Sequence, residues 1–378
     1  MPVYLDNNGT TPVDPDVLAA MLPYLQNEFG NPSSNTALGK RAHDAIETAR
    51  GHLAALIGAE PDEITFTSGG TESSNIAIRG AAQIDARRRN IVTSNIEHPA
   101  TEACVAYLEK QGHKVTRVAA QPDGLVNAAS VAAALDDRTA LATIIHAQNE
   151  IGTLQPVAGI ARAAQAKGAL VHVDAAQSAG KVPIDVKTMG IDMLSIAGHK
   201  LYAPKGVGAL YVRRDVTLPP LLLGAGQEHG RRAGTENVPY IVALGEACRI
   251  ARHKLGSEQA RLAGLARDLF AALAERIPGV ILVGDPAQRL PNTLNVLFPG
   301  VSGRLLLEKC PGVLASNGSA CHANSEEPSA ILTALGIPRA QALGAVRLSL
   351  GRGTTTADIV DATKLLTEAW RALAAVPA

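Results

Sequence analysis

Residues 195–211 read SIAGHKLYAPKGVGALY. The apolar run MLSIA (193–197) stops at Gly198-His199-Lys200, and a second run, GALYV (208–212), follows closely. A crossover between parallel strands needs a dozen residues or more, so these two runs are expected to pair antiparallel. Upstream, similar short β-branched runs recur as ITFT (64–67), IVTS (91–94), KVTRV (114–118), LATIIH (141–146) and LVHVD (170–174), most of them separated by alanine-rich helical segments. That alternation predicts an α/β fold with a mostly parallel, seven-stranded sheet flanked by helices. Ligands of such sheets bind at the carboxyl ends of the strands. Lys200 stands at one of those ends.

Outside the sheet, Leu38, Ala42, Ile46, Ala49, Leu53 and Ile57 fall three or four apart, as on an amphipathic helix. Asn35 or Thr36 can cap its start and Gly58 can end it. A second long helix is expected over about 239–275. Beyond it VILVG (280–284), TLNVLF (293–298) and VRLSL (346–350) read as strands of a smaller α+β C-terminal domain. The expected division is 15–257 for the large unit, and 1–14 with 258–378 for the small one.

The bulk composition narrows the function classes. Of 378 residues, 46% are apolar and 19% charged, an ordinary soluble composition. The 35 acidic and 35 basic residues cancel, which favours neither nucleic acid nor a charged membrane as partner. No apolar run reaches the length of a membrane span. MPVYLDNNGTTP has no basic segment followed by an apolar one, so no secretory signal is expected. Cys104, Cys248, Cys310 and Cys321 are scattered and form no C-x-x-C pair, so neither a zinc site nor a dithiol motif is expected. A reducing, cytoplasmic setting fits.

The strand ends carry the chemistry. After ITFT come Ser68-Gly69-Gly70-Thr71, small residues entering a helix, as an anion site needs. After the other runs come His98, Asn149, Asp174 with Gln177, and His199 with Lys200. Taken singly, plain structural readings are the better ones: Asp174 as a helix cap, Asn149 in a turn, His98 packed near a cap, Lys200 in solvent. Those readings are largely independent, and all would have to hold together along one sheet edge. An anion turn, imidazole, amide, carboxylate and lysine on one edge are what a pyridoxal 5′-phosphate site requires.

The motifs YLDNNGTTPVD, GNPSS, TSGGTESSN, EHPA, QNEIGTLQPV, VHVDAAQSAGKVPID, GHKLYAPKGVGALY, GRRAGTENVP, SNGSACHANSEEPS and VRLSLGRGTT run nearly end to end. Together they resemble the NifS/IscS-type cysteine desulfurases, the NifS branch most, within the class V aminotransferase-like enzymes of pyridoxal-phosphate fold type I. The resemblance implies that Lys200 is the Schiff-base lysine, that His98 stacks on the ring, and that Asp174 partners the pyridine nitrogen. Asn149 and Gln177 correspond to contacts at the ring hydroxyl, and Asn149 also borders the substrate. Gly70, Thr71 and His199 fall at the phosphate. Thr235 corresponds to a threonine reaching the phosphate of the other subunit, which implies a homodimer. Arg347 corresponds to the arginine that clamps the substrate carboxylate. Cys321, in a loop of small and polar residues at about 315–330, corresponds to the nucleophile.

The implied reaction takes sulfur from L-cysteine. It leaves L-alanine and a Cys321 persulfide, which passes to an iron–sulfur scaffold or another acceptor. A selenocysteine lyase, another class V reaction with Cys321 incidental, and a non-enzymatic sulfur relay are the competing readings. Three positions depart from the family pattern: Ala197, where many relatives have serine, Thr36, where histidine is common, and Gly9, where alanine is common.

Overall fold

The computed structural model describes residues 2–318 and 327–375. In chain order the strands are β1 (Val3–Tyr4), β2 (Ile64–Thr67), β3 (Asn90–Ser94), β4 (Lys114–Val118), β5 (Thr139–Ile145), β6 (Leu170–Asp174), β7 (Met193–Ala197), β8 (Gly208–Val212), β9 (Ile281–Val283), β10 (Thr293–Leu297), β11 (Val313–Leu314) and β12 (Ala345–Ser349). The first seven helices are α1 (Pro15–Gln26), α2 (Ala37–Ile57), α3 (Gly70–Ile84), α4 (Pro99–Lys110), α5 (Ala128–Ala134), α6 (Val157–Gln165) and α7 (Val238–Arg276).

The central sheet has seven strands in the order β2-β8-β7-β6-β5-β3-β4. Neighbours from β7 to β4 pair parallel. As the short 201–207 connection requires, β8 runs antiparallel to β7, and it is antiparallel to β2 as well. Every residue of β5, β7 and β8 is buried, which explains why these strands read as continuous apolar runs rather than alternating ones. At the sheet edge the backbones come very close. A Cβ on Gly208 would lie 2.6 Å from the Gly69 Cα, so glycine is required where β8 passes the turn into α3.

A polar thread crosses this apolar sheet. His172 on β6 binds Thr143 Oγ1 on β5 through Nδ1 and Ser195 Oγ on β7 through Nε2, each at 2.8 Å. The Ser74 hydroxyl on α3 donates to Ser195 Oγ at 3.3 Å. The thread ties the strand that ends in Asp174 to the helix that begins at Gly70.

Helix α2 forms as its spacing predicts. The Thr36 hydroxyl caps it by accepting from the Gly39 amide at 3.1 Å, and Gly58 ends it in the left-handed region at φ 73°. Thr36, a departure from the family pattern, thus has a structural task. Helix α7 is 39 residues long. Its first part buries Ile241, Leu244, Cys248 and Ala251 in the core of the large sheet. Its second part buries Leu262, Leu265, Leu269 and Leu273 in another core, together with Val3, Leu5, Leu294 and Val346. That second core backs the antiparallel sheet β12-β10-β9 and the parallel pair β1-β11. Among the described residues no helix is long and apolar enough to cross a membrane.

Candidate active site

A cavity of about 770 Å³ opens at the carboxyl edge of the large sheet. Gly70, Thr71, His98, Asn149, Asp174, Gln177, His199, Lys200 and Arg347 all line it. Thr235 is exposed on the segment before α7 and lies outside this lining. Cys321 lies outside the described residues, but Asn317 and Gly318 before it, and Glu327 to Ile331 after it, border the cavity.

Lys200 follows β7 in a single tight turn, Gly198–Lys200. Its Nζ donates to the carbonyls of Asn8 at 2.6 Å and Gly9 at 2.5 Å. Burial, with the Arg347 charge adding to it, lowers its pKa to about 8, while Asp6 and Asp174 pull the other way. Asp174 ends β6, and its Oδ1 accepts from the Ala176 amide at 2.9 Å. The cap reading of Asp174 is therefore true of one oxygen, and the same side chain lines the cavity. Burial raises its pKa; His98, the Ala176 amide and Lys200 oppose that shift.

His98 is the N-cap of α4, with Nδ1 accepting from the Ala100 amide at 3.1 Å. An accepting Nδ1 places the proton of the neutral ring on Nε2. Burial lowers the His98 pKa, with Lys200 acting in the same direction and Asp174 against it, which favours that neutral ring. His199 lies against the Thr10 hydroxyl at 3.2 Å, and burial together with Lys200 lowers its pKa to about 4.

Arg347 sits on β12 and is 2% exposed. It donates to Asp6 Oδ1 at 2.7 Å and to the Asn149 carbonyl at 3.1 Å, and its buried Nε has no partner among the described residues. The chain on either side of 319–326 is fastened to this floor. Ser316 and Arg347 exchange backbone hydrogen bonds, and the Ser329 hydroxyl donates to Glu150 Oε2 at 2.5 Å. The other three cysteines are buried, and burial pushes all three thiols up, Cys104 to about 11, which leaves them protonated and inert.

Several site residues escaped the sequence reading. Asn8 is one: its carbonyl takes Lys200 and Gln177, and its side chain donates to Thr293 Oγ1 at 2.8 Å and to the Asn149 carbonyl at 3.2 Å. Glu97, which stands beside His98 after the IVTS run but carried no assigned role, is buried in the cavity wall with Ser94 donating to one oxygen and the other unpartnered among the described residues. Burial raises its pKa to about 8. Lys181 is a third, treated below. The only available signal for Asn8 was its place in the YLDNNGTTPVD motif.

Residues 3–361 match the class-V aminotransferase family. A cysteine desulfurase of Gluconacetobacter diazotrophicus is 49% identical over 94% of this chain and 90% of its own length. A cysteine desulfurase IscS of Methanosarcina thermophila is 47% identical over 94% and 89%. The chain belongs to the class-V aminotransferases, among their NifS/IscS-type cysteine desulfurases. A solved NifS-like protein, 36% identical, superposes with a TM-score of 0.91 over 97% of this chain and 99% of its own. A structure described as SspA in complex with cysteine is 38% identical, with a TM-score of 0.81 over 92% and 98%.

Enzymes of this family depend on pyridoxal phosphate, and the donor set here fits that group. The first amides of α3 have no partner within the helix and face an anion's needs. A lysine with a loosened proton, a buried carboxylate and a neutral imidazole share one cavity with them. Ala197 fits as well: its Cβ would stand 3.3 Å from a Cβ on Gly70, so this pair leaves the phosphate turn uncrowded.

Proposed function

We propose that this enzyme takes the sulfur atom of L-cysteine onto Cys321 and releases L-alanine. The supporting observation is convergence: Lys200, Asp174, His98 and Arg347 line one cavity, and both described flanks of the Cys321 segment border it. In this reading the start of α3, with Gly70, Thr71 and His199, holds the cofactor phosphate. Asp174 would meet the ring nitrogen, His98 the ring face, and Gln177 and Asn149 the ring oxygen. Pyridoxal phosphate would be held by Lys200 at rest and, once the substrate amine has taken the place of that lysine, would withdraw electrons from the substrate carbons and make the Cα proton removable.

The side chains then have separate tasks. Arg347 holds the substrate carboxylate through its guanidinium fork. Lys200, as free amine, takes and returns the Cα proton. The Cys321 thiolate bonds to the substrate sulfur, the carbon–sulfur bond breaks, and its electron pair stays on carbon, which gains a proton to become the methyl of alanine. His98, with its proton on Nε2, supplies and recovers protons beside the ring.

Around the site we infer two units, 15–257 and 1–14 with 258–378, joined within α7. We infer a homodimer in which Thr235 reaches the partner's phosphate; its position outside its own chain's cavity and the exposed Phe29 and Leu223 support this. The persulfide would be carried to an iron–sulfur scaffold or a comparable acceptor in the cytoplasm.

Cys321→Ser tests the assignment. A hydroxyl stays protonated where a thiol of pKa near 8.5 supplies thiolate. The variant is expected to bind cofactor, change its visible spectrum on adding L-cysteine and exchange the Cα proton for deuterium. It should release little alanine and form no persulfide. Alanine formation near the wild-type rate would show that Cys321 is not the nucleophile.

A further inference from the structure

The mechanism above leaves one charged group beside the cofactor cavity without a task. Lys181 stands four residues past Gln177 in a turn closed by bonds such as Ala179 N to Ala175 O at 3.0 Å. Its Nζ reaches inward to Gln177 Oε1 at 3.0 Å and Asn8 Oδ1 at 3.4 Å. Lys200 and Arg347 both repel its charge. Lys254 and Glu258 of α7, with Arg352 and Lys200, share with it a small cavity of about 30 Å³. Holding an ammonium among these groups is costly: burial lowers its pKa to about 7. An apolar side chain would fill the place without that cost.

We propose that Lys181 is a positioning residue that fixes the Gln177 carboxamide as a hydrogen-bond donor toward the cofactor. The amide orientation is determined from two sides. An ammonium can only donate, so the atom facing Lys181 is the amide oxygen. The Asn8 carbonyl can only accept, so the atom it meets at 2.9 Å is the amide nitrogen. With its oxygen held by Lys181, Gln177 turns its NH2 away from Lys181, and that group is the one available to an oxygen anion on the ring. Without Lys181 only the Asn8 carbonyl still orients the amide, so the carboxamide loses one of its two anchors and its NH2 is held less firmly toward that anion. The same ammonium, with Asn292 Nδ2 at 3.2 Å, holds the Asn8 oxygen and so keeps the Asn8 NH2 on Thr293 and Asn149.

The inference rests on the reading that Gln177 meets the ring oxygen, and the test separates the two. The readout is the pH titration of the visible absorption band of the cofactor-loaded enzyme before substrate is added. A donor to the ring oxygen stabilises the deprotonated chromophore, so losing it raises the midpoint. Lys181→Met and Gln177→Ala are each expected to raise it by about one pH unit, a tenfold change in proton affinity. The double variant should move no further than Gln177→Ala alone, and Lys181→Arg should restore the wild-type midpoint. Lys181→Gln replaces the methionine variant if that one melts early.

If Gln177→Ala shifts the band and Lys181→Met does not, the positioning role is overturned while the site reading stands. If the two shifts add, Lys181 acts through its charge alone and the amide argument fails. If Gln177→Ala leaves the midpoint unchanged, the ring-oxygen assignment and the role of Lys181 fall together.

Discussion

Burial brings the pKa of Lys200 down from 10.5 to about 8. At pH 8 roughly half of it is free amine, against well under one per cent for an exposed lysine. That is the form needed both to bond a carbonyl carbon and to accept a proton. Asp174 is its electrostatic counterpart. Asp174→Asn keeps the shape and the capping oxygen but removes the charge. The loss of a charge-assisted bond, roughly 1.5–3 kcal/mol, is expected to slow alanine release roughly tenfold to a hundredfold while the cofactor stays bound. A rate measured at saturating cofactor checks this, and a wild-type value would exclude Asp174 from the ring nitrogen. Lys200, Asp174 and His98 stood out in the sequence because each ends or soon follows a strand, where the sheet presents ligands. Asn8 and Lys181 did not. Asn8 lies in no periodic segment before its partners, and Lys181 looks like any polar residue of a turn, four positions past Gln177. Their tasks appear only when segments hundreds of residues apart are brought together.

The seven strands of the large sheet were readable from their β-branched runs, and the turn from β7 to β8 from its length alone. The two-residue strands β1 and β11 were not, because two residues carry no period, and their pairing is decided by the core beneath them. Nor did the sequence show that His172 lies inside the sheet with both ring nitrogens engaged. This has a pH consequence. Burial lowers its pKa from 6.5 to about 3. Between these values the unfolded chain binds a proton that the folded one refuses, so stability falls as pH falls from 6.5 and levels off below about 3. The slope from this side chain is roughly 1–2 kcal/mol per pH unit. Melting curves are expected to move down between pH 7 and pH 5, and to move less for His172→Gln. An equal shift in both proteins would place the acid sensitivity elsewhere, with buried His146 the next source, its pKa lowered to about 4.

On the scale of the whole molecule, the proposed dimer has a clean test. Thr235 is exposed and outside its own cavity lining, and in the proposed dimer it would serve the partner's site. A mixed dimer of a Lys200→Ala chain and a Thr235→Ala chain then has one site with both lesions and one with neither. About half of wild-type activity is expected, by mutant complementation across a two-fold interface. Activity well below half would place Thr235 in its own subunit's site, because each site would then carry one lesion. The hub at Asn8 adds a constraint of a different kind, on the order of events during synthesis. Asn8 and its neighbour Asn7 bind Thr293, Asn292 and Ser349, partners some 284 to 342 positions later in the chain. The segment carrying Asn7 and Asn8 is therefore made long before the partners it docks on, and contacts of such long range make for slow closure. The lysine's resting place forms only once that segment closes. A chain stalled before β10 carries every strand of the large sheet but lacks the finished floor on which the cofactor would be received.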